Sequence, residues 1–288
     1  MNKNIILYSN IKNDDRFIMT QRVGEMLSKY GRKTVFCPAF TEEEEVITPP
    51  HGYKTAKLEA ELQNAEMIIT FGGDGTILRA ARAAAETGVP ILGVNMGGKG
   101  FMAELEAEDI QLLEEAAAGR YKTESRMMIN TEILRSGEVL SSDFALNDVV
   151  VKGDNKVIDL TLYSDDQRIM GFSGDGVVVA TPTGSTAYSM SAGGPIVDPS
   201  AKNIIITPIC AHVLEARSFV LVSDKCVSVE IGSRKHNPAY LSVDGGDHIN
   251  IRSGDIIKIY KSERFTQLVR LTGMSFYKRV SDKLGERA

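Results

Sequence analysis

The residues best suited to chemistry form the motif Gly-Gly-Asp-Gly-Thr at residues 72–76, between an apolar run and a stretch typical of a helix. Its glycines let the backbone turn tightly and approach a ligand closely. Unpaired N–H groups at the start of the predicted helix favour a bound phosphate. A carboxylate beside phosphates is repulsive unless it handles a metal ion or a hydroxyl proton, so Asp74 indicates phosphoryl transfer. A plain strand–turn–helix joint is the alternative, and the position of the motif favours the functional interpretation.

Two common nucleotide-binding motifs are missing. No G-x-G-x-x-G follows the first predicted strand, which argues against an ordinary dinucleotide site. Residues 93–99 resemble a P-loop, but Gly100 stands where Ser or Thr would hold Mg²⁺, so a true P-loop is not expected. The glycine-rich stretch at residues 97–101 still lies at the carboxyl end of a predicted strand, where open α/β sheets bind ligands. On spacing alone a plain connector is equally consistent with it.

A second cluster of polar groups lies at residues 181–188, Thr-Pro-Thr-Gly-Ser-Thr-Ala-Tyr, after Gly-Asp-Gly at residues 174–176 and a valine-rich run. The hydroxyls of Thr183, Ser185 and Thr186 offer donors and acceptors, and Tyr188 has a ring suited to stacking on a base. A helix cap by Ser185 or Thr186 explains one of these hydroxyls but not so dense a cluster.

Asn147 and Asp148 form a polar pair inside an apolar strand. Adjacent strand residues point to opposite faces, so one of the two points inward and needs a partner. A ligand is one candidate partner, and the dipeptide alone favours a satisfied structural network.

The carboxylate–glycine turn at residues 242–247, taken in isolation, is best explained as a hairpin turn. The four histidines share no spacing and form no HExxH, so a zinc site is not expected.

The elements that must position these motifs follow two patterns. In the first third of the chain strands alternate with helices, which implies βαβ units and a parallel sheet. The predicted strands are residues 5–8, 34–37, 67–71 and 91–95, and the predicted helices cover residues 23–30, 58–65, 77–85 and 109–118. From Met127 to Tyr260 short β-branched runs are typical of a β-sandwich. They predict strands at residues 157–163, 169–172, 177–180, 204–207, 227–231, 240–243 and 256–260.

We therefore expect an α/β N-terminal domain with a parallel sheet, residues 1–122, and a β-rich, sandwich-like C-terminal domain, residues 123–265. At the end of the chain Phe276, Val280 and Leu284 recur every four residues, with Ser275 as a possible cap. This pattern predicts a final helix that returns to the first domain, to which residues 266–288 are assigned.

Composition excludes several classes of protein. With 288 residues, 43% hydrophobic and 25% charged, the chain is typical of a soluble globular protein. Its 33 basic and 38 acidic residues give a net charge of −5, which disfavours nucleic acid and anionic membranes as partners. Three separated cysteines argue against a disulfide framework. The apolar run at the start is too short for a signal peptide, and no run approaches the ~20 residues of a membrane span, so we expect a cytoplasmic protein.

Taken in order, these motifs resemble the NAD kinase family. The resemblance covers roughly residues 67–246 and includes the 72–76 motif, Gly100-Phe101, Asn147-Asp148, the 174–176 and 181–195 segments and the 242–245 turn. The first motif is shared with lipid kinases and phosphofructokinases, whereas the 181–188 block and the Asn-Asp pair carry the specificity. Three positions depart from the family pattern: Lys99 in place of leucine, Ser218 in place of proline, and Glu215.

The resemblance implies transfer of a phosphoryl group from ATP, or in some members polyphosphate, to the 2′-hydroxyl of the adenosine ribose of NAD. It implies Mg²⁺ or another divalent cation, and a homodimer or homotetramer. Asp74 would orient or deprotonate the ribose hydroxyl, and Asp175 would complete the site of a neighbouring subunit. The implied phosphate-binding residues are Gly72, Gly73, Gly75 and Thr76. The implied NAD-binding residues are Gly73, Asp74, Gly75, Phe101, Asn147, Asp148, Asp175, Thr183, Thr186, Ala187 and Tyr188.

Two other functions remain open at this point. A lipid kinase would share the 72–76 motif, but it should carry a basic or apolar membrane-facing patch, and none is evident in the sequence. A dinucleotide-sensing protein would bind NAD without forming NADP.

Overall fold

The computed structural model describes residues 3–39, 48–98, 100–213, 216–232 and 237–285, so Lys99 and Glu215 lie outside the described residues. The chain divides into two compact units, one made of Met1–Ser125 and Thr266–Ala288, the other of Arg126–Phe265. In the described ranges, none of the helices combines the length and the apolar character that a bilayer crossing requires.

The first unit alternates strands and helices around a parallel sheet. Its elements before residue 122 are β1 Asn4–Asn10, α1 Ile18–Lys29, β2 Thr34–Ala39, α2 Leu58–Glu61, β3 Ala65–Gly72, α3 Asp74–Ala84, β4 Ile91–Asn95, β5 Leu105–Glu106 and α4 Leu113–Ala117. The strands pair in parallel in the order β2-β1-β3-β4, and β5 pairs in parallel with β4. The central strands are buried along nearly their whole length, as parallel strands covered by helices should be. Leu7 and Ile69 of the sheet share a core with Val23 and Leu27 of α1.

Two predicted helices are shorter than their periodicity suggests. The helix predicted over residues 58–65 is α2 followed by a 3₁₀ turn, Leu62–Asn64, and Ala65 already belongs to β3. Ala65 pairs with Asn4 of β1, so strand pairing overrides the local helical preference. The helix predicted over residues 109–118 is a 3₁₀ segment, Ala107–Leu112, followed by α4.

The second unit consists almost entirely of strands. They and one short helix are, in chain order, β6 Lys122–Arg135, β7 Glu138–Ala145, β8 Asp148–Gly153, β9 Ile158–Ser164, β10 Gln167–Gly174, β11 Gly176–Ala180, α5 Tyr188–Ser191, β12 Asn203–Ile209, β13 Phe219–Val222, β14 Val227–Ile231, β15 Ala239–Val243, β16 Ile249–Ile251 and β17 Ile256–Arg270. β6 starts in the first unit, and β17 ends there.

These strands form two layers. One is a six-stranded antiparallel sheet in the order β13-β12-β11-β8-β15-β16. In the other, β10-β9-β14-β17 are neighbours, and β6 pairs with β17 and β7. Val149 and Val151 of the first layer share one core with Leu160 and Val229 of the second. The sandwich and the parallel α/β unit confirm the predicted fold class. Since Val149 and Val151 face the core, Asp148, Val150 and Lys152 line the opposite face of β8.

The final helix, α6 Phe276–Gly285, belongs to the first unit and begins as predicted. The Ser275 hydroxyl accepts a hydrogen bond from the Lys278 N–H at 3.2 Å. The buried face differs from the predicted apolar stripe, because Arg279 is buried whereas Leu284 is 45% exposed. Arg279 is buried as the ion-pair partner of Glu104, a contact that hydrophobic periodicity does not reveal.

Candidate active site

In the first unit, the site is built on the joint between β3 and α3. β3 ends at Gly72, Gly73 is the N-cap residue and Asp74 is the first helical residue. The Asp74 carboxylate accepts hydrogen bonds from the Phe101 N–H at 2.8 Å and the Met102 N–H at 3.2 Å. The carboxylate that the sequence singled out is therefore held in one orientation by the backbone of the loop that follows β4.

The two adjacent glycines of this turn are required for different reasons. A Cβ at Gly72 would lie 2.2 Å from the Thr76 hydroxyl oxygen, so the packing of the turn itself excludes a side chain there. Gly73 has an extended backbone that any residue adopts, with φ of −92°, and no described atom lies within 4 Å of a Cβ built on it. The space in front of Gly73, at the amino end of α3, is therefore open to a ligand.

Burial sets the chemistry of Asp74. Its pKa is raised above the ordinary value because burial disfavours the charged carboxylate. The N–H groups of Phe101 and Met102 and the positive charges of Lys283 and Arg279 oppose this rise without cancelling it. Asp74 is thus a fixed carboxylate with a greater affinity for a proton than a surface aspartate has.

Glycine also permits the close approach of the loop that holds Asp74. A Cβ at Gly100 would lie 2.6 Å from the Asp74 Oδ1 atom. Gly97 and Gly98 adopt left-handed backbone conformations, with φ of +117° and +92°. Asn95, at the end of β4, donates to the Gly98 carbonyl at 3.0 Å. The predicted ligand-binding loop therefore lies at the carboxyl end of β4, with its backbone against the catalytic candidate.

In the second unit, the Asn-Asp pair is held by a carboxylate distant in sequence. Asp244 accepts hydrogen bonds from the backbone N–H groups of Leu146, Asn147 and Asp148 at 2.8, 2.7 and 3.0 Å. Asp244 lies in the turn between β15 and β16 and has a left-handed φ of 49°. The turn that looked like an ordinary hairpin connection thus fixes the backbone on which Asn147 and Asp148 stand.

The hydroxyl-rich turn at residues 181–188 packs on the same backbone. The Thr181 hydroxyl donates to the Leu146 carbonyl at 2.6 Å, and the Thr181 N–H donates to the Asn147 carbonyl at 2.9 Å. A Cβ at Gly184 would lie 2.0 Å from the Asn147 carbonyl oxygen, so only glycine fits. The Ser185 hydroxyl is used within the turn and its flanking loop, where it donates to the Pro182 carbonyl at 2.7 Å. Several hydroxyls of the cluster therefore build the turn.

These elements enclose a cavity of about 380 Å³, which is large enough for a nucleoside. Its lining residues, all in the second unit, are Asn147, Asp148, Val150, Lys152, Ala187, Tyr188, Tyr240, Ser242, Asp244, Gly245 and His248. The rings of Tyr240 and His248 stack at 3.8 Å between centroids. The Asn147 Oδ1 atom is buried and has no hydrogen-bond partner among the described residues, which leaves it available to a ligand donor.

Asp148 titrates near neutrality. Burial, together with the neighbouring charge of Asp244, raises the pKa of Asp148 to about 7. Near neutral pH its carboxyl group therefore exists in both forms, one able to donate a hydrogen bond and one able only to accept.

The structure brings some of the predicted residues together and not others. Asn147, Asp148, Ala187 and Tyr188 line the cavity. Thr183, bonded to the Arg126 guanidinium at 3.4 Å, and Thr186 belong to the adjoining turn. Asp175 stands between β10 and β11, where its N–H donates to the Ile209 carbonyl at 3.0 Å. In the first unit, Phe101 contributes its N–H to Asp74, Thr76 is buried under the turn and Gly75 is exposed on α3.

Seven of the eleven lining residues were not among the predicted site residues: Val150, Lys152, Tyr240, Ser242, Asp244, Gly245 and His248. Lys152 could have been found, because strand alternation places it on the face of Asp148. Tyr240 and Ser242 pair with Lys152 and Val150 only through the sheet register of β15, which the sequence does not show.

A fixed carboxylate at a helix start in the α/β unit and a nucleoside-sized cavity in the β-sandwich unit are features that suit a small-molecule phosphotransferase. Comparison with known proteins identifies which one. The pattern of the ATP-NAD kinase N-terminal domain matches residues 9–121, and that of the ATP-NAD kinase C-terminal domain matches residues 146–271. The NAD kinase of Lachnoclostridium phytofermentans is 37% identical over 293 residues, which cover 99% of this chain and 100% of that protein.

Two solved structures share the fold. Yeast NADH kinase complexed with NADH has a TM-score of 0.85 at 24% identity, covering 100% of this chain and 89% of that one. An NAD kinase from Archaeoglobus fulgidus in complex with ATP has a TM-score of 0.75 at 23% identity, covering 99% of this chain and 100% of that one. The chain therefore belongs to the ATP-NAD kinase family, which confirms the resemblance found in the sequence, and it is an enzyme.

Proposed function

We propose that this enzyme transfers the terminal phosphoryl group of ATP to the 2′-hydroxyl of the adenosine ribose of NAD, with Asp74 orienting and deprotonating that hydroxyl. The observation that carries the proposal is the Asp74 carboxylate, fixed by the N–H groups of Phe101 and Met102 at the amino end of α3. Membership of the ATP-NAD kinase family supports NAD as acceptor and ATP as donor.

The chemistry follows from the position of Asp74. Each carboxylate oxygen accepts one backbone N–H and retains acceptor capacity, so the group is able to bind a substrate hydroxyl in a defined direction. In the transfer, the bond from O2′ to phosphorus forms, the bond from phosphorus to the ADP oxygen breaks, and the hydroxyl proton passes to Asp74. The raised pKa makes Asp74 a better proton acceptor than an ordinary aspartate.

The donor phosphates are assigned to the amino end of α3. We assign Gly72, Gly73, Gly75 and Thr76 to this site: Gly73 provides the open space, Gly72 and Thr76 shape the turn, and Gly75 lies in the first turn of the helix. Phosphate oxygens are stabilised there by N–H groups and by the helix dipole.

The adenosine of NAD is assigned to the cavity of the second unit. Asn147 offers an unpartnered buried oxygen, Asp148 a carboxyl group that donates or accepts, and Tyr188 an exposed ring for stacking. Ala187 lines the cavity beside Tyr188, and we place Thr183 and Thr186 in the wall of this pocket. We also propose that Phe101 contacts NAD and that Asp175 contributes to the site of a neighbouring subunit.

A divalent cation, Mg²⁺ by preference, fits this donor set when the donor phosphates supply most of its ligands. Among the described residues no cluster of three or more His, Cys, Asp or Glu side chains is placed to hold a metal. Mg²⁺ commonly uses one or two carboxylates together with substrate phosphates, and Asp74 is the carboxylate at the phosphate end of α3. When bound, the ion neutralises charge on the transferring phosphoryl group.

The test is NADP formation from NAD, ATP and Mg²⁺ by the purified enzyme and by Asp74→Asn. The variant should fold and lose nearly all turnover, because its amide cannot take the hydroxyl proton. The control is Asp109→Asn, an exposed aspartate of the same unit, which should retain activity. Wild-type turnover by Asp74→Asn refutes the assigned role. If the purified protein binds NAD but forms no NADP, it is a dinucleotide sensor. If it phosphorylates a lipid and not NAD, it is a lipid kinase. The same assay with polyphosphate in place of ATP tests which phosphoryl donor the enzyme uses.

The proposal extends to a homodimer or homotetramer in the cytoplasm. Val220 and Val222, on the edge strand β13, are 48% and 56% exposed, which suits a subunit interface. The three cysteines are unpaired, which suits a reducing compartment. Sedimentation of the purified enzyme tests the assembly, and a monomer at micromolar concentration contradicts it.

A further inference from the structure

The loop at residues 100–104 has two sides with different partners. On one side, its Phe101 and Met102 N–H groups hold the Asp74 carboxylate, and Gly100 lies against the same carboxylate. The loop is thus the structure that sets where the Asp74 oxygens point. Whatever fixes the loop also fixes the carboxylate.

The other side of the loop is clamped by the C-terminal segment of the chain. The Arg279 guanidinium donates to the Ala103 carbonyl and to the Glu104 carboxylate, the latter at 3.2 Å. Arg270 donates to the Met102 carbonyl at 3.3 Å and to Glu104 at 3.0 Å. The loop is therefore bonded at three successive residues, 102 to 104, by two arginines.

Glu104 closes the clamp from the loop side. Its Oε1 atom accepts hydrogen bonds from the Leu271 N–H at 2.8 Å and from the Thr272 N–H and hydroxyl, both at 2.7 Å. Its side chain is 1% exposed, and that of Arg279 is 8% exposed. A buried ion pair with this many hydrogen bonds is held in one geometry. The position of Arg279 therefore fixes the position of Glu104 and of the loop that carries it.

Arg279 and its neighbour on α6 also act by charge. Arg279 and Lys283 are the two cations whose fields lower the pKa of Asp74. Lys283 donates a hydrogen bond to the Glu106 carboxylate at 3.1 Å. The helix therefore places two cations near Asp74, and Arg279 is the one that donates to Ala103 and Glu104 of the loop.

We propose that Arg279 is a positioning residue for phosphoryl transfer: paired with Glu104, it holds the 100–104 loop in the one arrangement that aims the Asp74 carboxylate at the acceptor hydroxyl. This inference rests on the proposed role of Asp74 and deepens it. A displacement of about 1 Å in a reacting group is enough to cost about 100-fold in rate, so the loss of the clamp should appear in kcat.

The experiment compares Arg279→Met, Arg279→Lys and Lys283→Met in the full-length enzyme by kcat, KM for NAD and the pH profile of kcat. Arg279→Met should lower kcat at least about tenfold with KM changed less than about twofold. Since Asp74 loses a neighbouring cation, its pKa rises, and the acidic limb of the profile moves to higher pH. Arg279→Lys should recover part of kcat, and Lys283→Met should move the acidic limb in the same direction as Arg279→Met.

The matched control is Arg32→Met. Arg32 likewise bridges a backbone carbonyl, that of Ala117 at 2.8 Å, and a glutamate, Glu66 at 3.1 Å, in the same unit but without contact to the loop. It should lower the melting temperature without changing kcat. Wild-type kcat in Arg279→Met, or a loss no greater than that of Arg32→Met, overturns the inference.

A double variant separates positioning from general damage. If Arg279 acts through Asp74, adding Arg279→Met to Asp74→Asn should lower the residual rate by less than about twofold. A further tenfold loss shows that Arg279 acts independently and overturns the inference. High turnover by Asp74→Asn alone instead refutes the proposed function. If Arg279→Met does not fold, Thr272→Val takes its place, because it removes one hydrogen bond to Glu104. It should reduce kcat about fivefold. The acidic limb of the pH profile should not move, because no charge is removed.

Discussion

Two neighbouring carboxylates in the second unit show how much environment decides the behaviour of a side chain. Asp244 is satisfied by three backbone N–H groups. Asp148 lacks such donors among its described contacts and faces the charge of Asp244, so its pKa rises to about 7. A group that is costly to ionise in the folded protein and that lines a ligand cavity is a functional candidate rather than a stabilising one.

We predict that Asp148→Asn stabilises the protein while impairing catalysis with NAD. The folded pKa of Asp148 lies above its unfolded value of 3.8, so the native state must take up a proton or bear a buried charge. This destabilisation is absent below pH 3.8, grows as pH rises to about 7 and is constant above that. The melting temperature of the variant should therefore exceed that of the wild type by a margin that widens over the same window.

Thermal unfolding at a series of pH values checks this prediction, and KM for NAD measures the functional loss. Asp166→Asn, in an exposed turn of the same unit, is the control and should show no such margin. A variant that is less stable than the wild type at pH 8 contradicts the argument.

At the residue scale, the sequence identifies a carboxylate as functional when the residues next to it in the chain indicate its role. Asp74 stands among glycines before a helix, and both features are local. Asp244 binds N–H groups 96 to 98 positions away, so its motif alone predicts only a turn. The same limit hid Arg279, whose partner Glu104 is 175 positions away.

Among the elements, the β3–α3 joint contains two adjacent glycines that serve different purposes, one the packing of the fold and the other the approach of a ligand. Gly72 has no room for a Cβ, because the Thr76 hydroxyl occupies the place. Gly73 has room and an ordinary backbone, so the folded chain alone does not require glycine there.

We predict that Gly73→Ala leaves the melting temperature unchanged and lowers kcat/KM for ATP at least about tenfold, because its methyl group occupies the approach of a phosphate. Gly72→Ala should instead destabilise the protein by about 1–3 kcal/mol through overpacking. Gly285→Ala, also in open space, is the control for the alanine itself. Full ATP efficiency in a folded Gly73→Ala contradicts a phosphate site at this turn.

Element types followed from the sequence more reliably than element ends. β4 and β14 begin and end at the predicted residues, 91–95 and 227–231. The predicted helix at residues 58–65 was cut short by a pairing between Ala65 and Asn4. Local patterns favour a helix or a strand, but a tertiary contact decides where it stops.

For the molecule as a whole, each unit contains a buried carboxylate whose ionised form is stabilised by arginine. Burial alone would raise the pKa of Asp255, but the bidentate bond from Arg135, at 2.8 Å to each oxygen, and the Arg252 N–H bring it below the ordinary value. For Glu104 the bonds from Thr272 and Leu271 likewise outweigh burial and lower the pKa. Such groups stabilise the fold when ionised.

We predict that the protein becomes acid-labile below about pH 4.5. Depressed folded pKa values mean that the stabilisation is complete above the unfolded values, 3.8 for Asp255 and 4.5 for Glu104, and is lost as pH falls through the folded ones. Asp255→Asn should cost about 2 kcal/mol or more at pH 7, and this difference should shrink at pH 3.

Denaturant unfolding at pH 7 and pH 3 tests this expectation. Asp165→Asn changes an exposed carboxylate that pairs with Lys225 and accepts the Cys226 N–H, and it should have a much smaller effect than Asp255→Asn at pH 7. A deficit of Asp255→Asn that is undiminished at pH 3 would mean that it arises from packing rather than from charge.

The architecture at this scale was readable because the two regions differ in period: strand–helix alternation in one and closely spaced strands in the other. The order of strands within the sandwich could not be predicted from the sequence. β8 lies between β11 and β15 because it pairs with both, and the residues of β8 and β15 are far apart in the chain. The cavity depends on that order and so could not be placed from the sequence.

The first unit is completed by residues 266–285, which follow the second unit in the sequence. Val269 belongs to its core, and Arg279 braces the loop that holds Asp74. During synthesis residues 266–285 must therefore leave the ribosome before this unit is whole, whereas Arg126–Phe265 emerges earlier. A chain that stops before Arg279 would contain the residues that line the cavity but lack the arginine that braces the loop against Asp74, so we expect such a chain to be inactive.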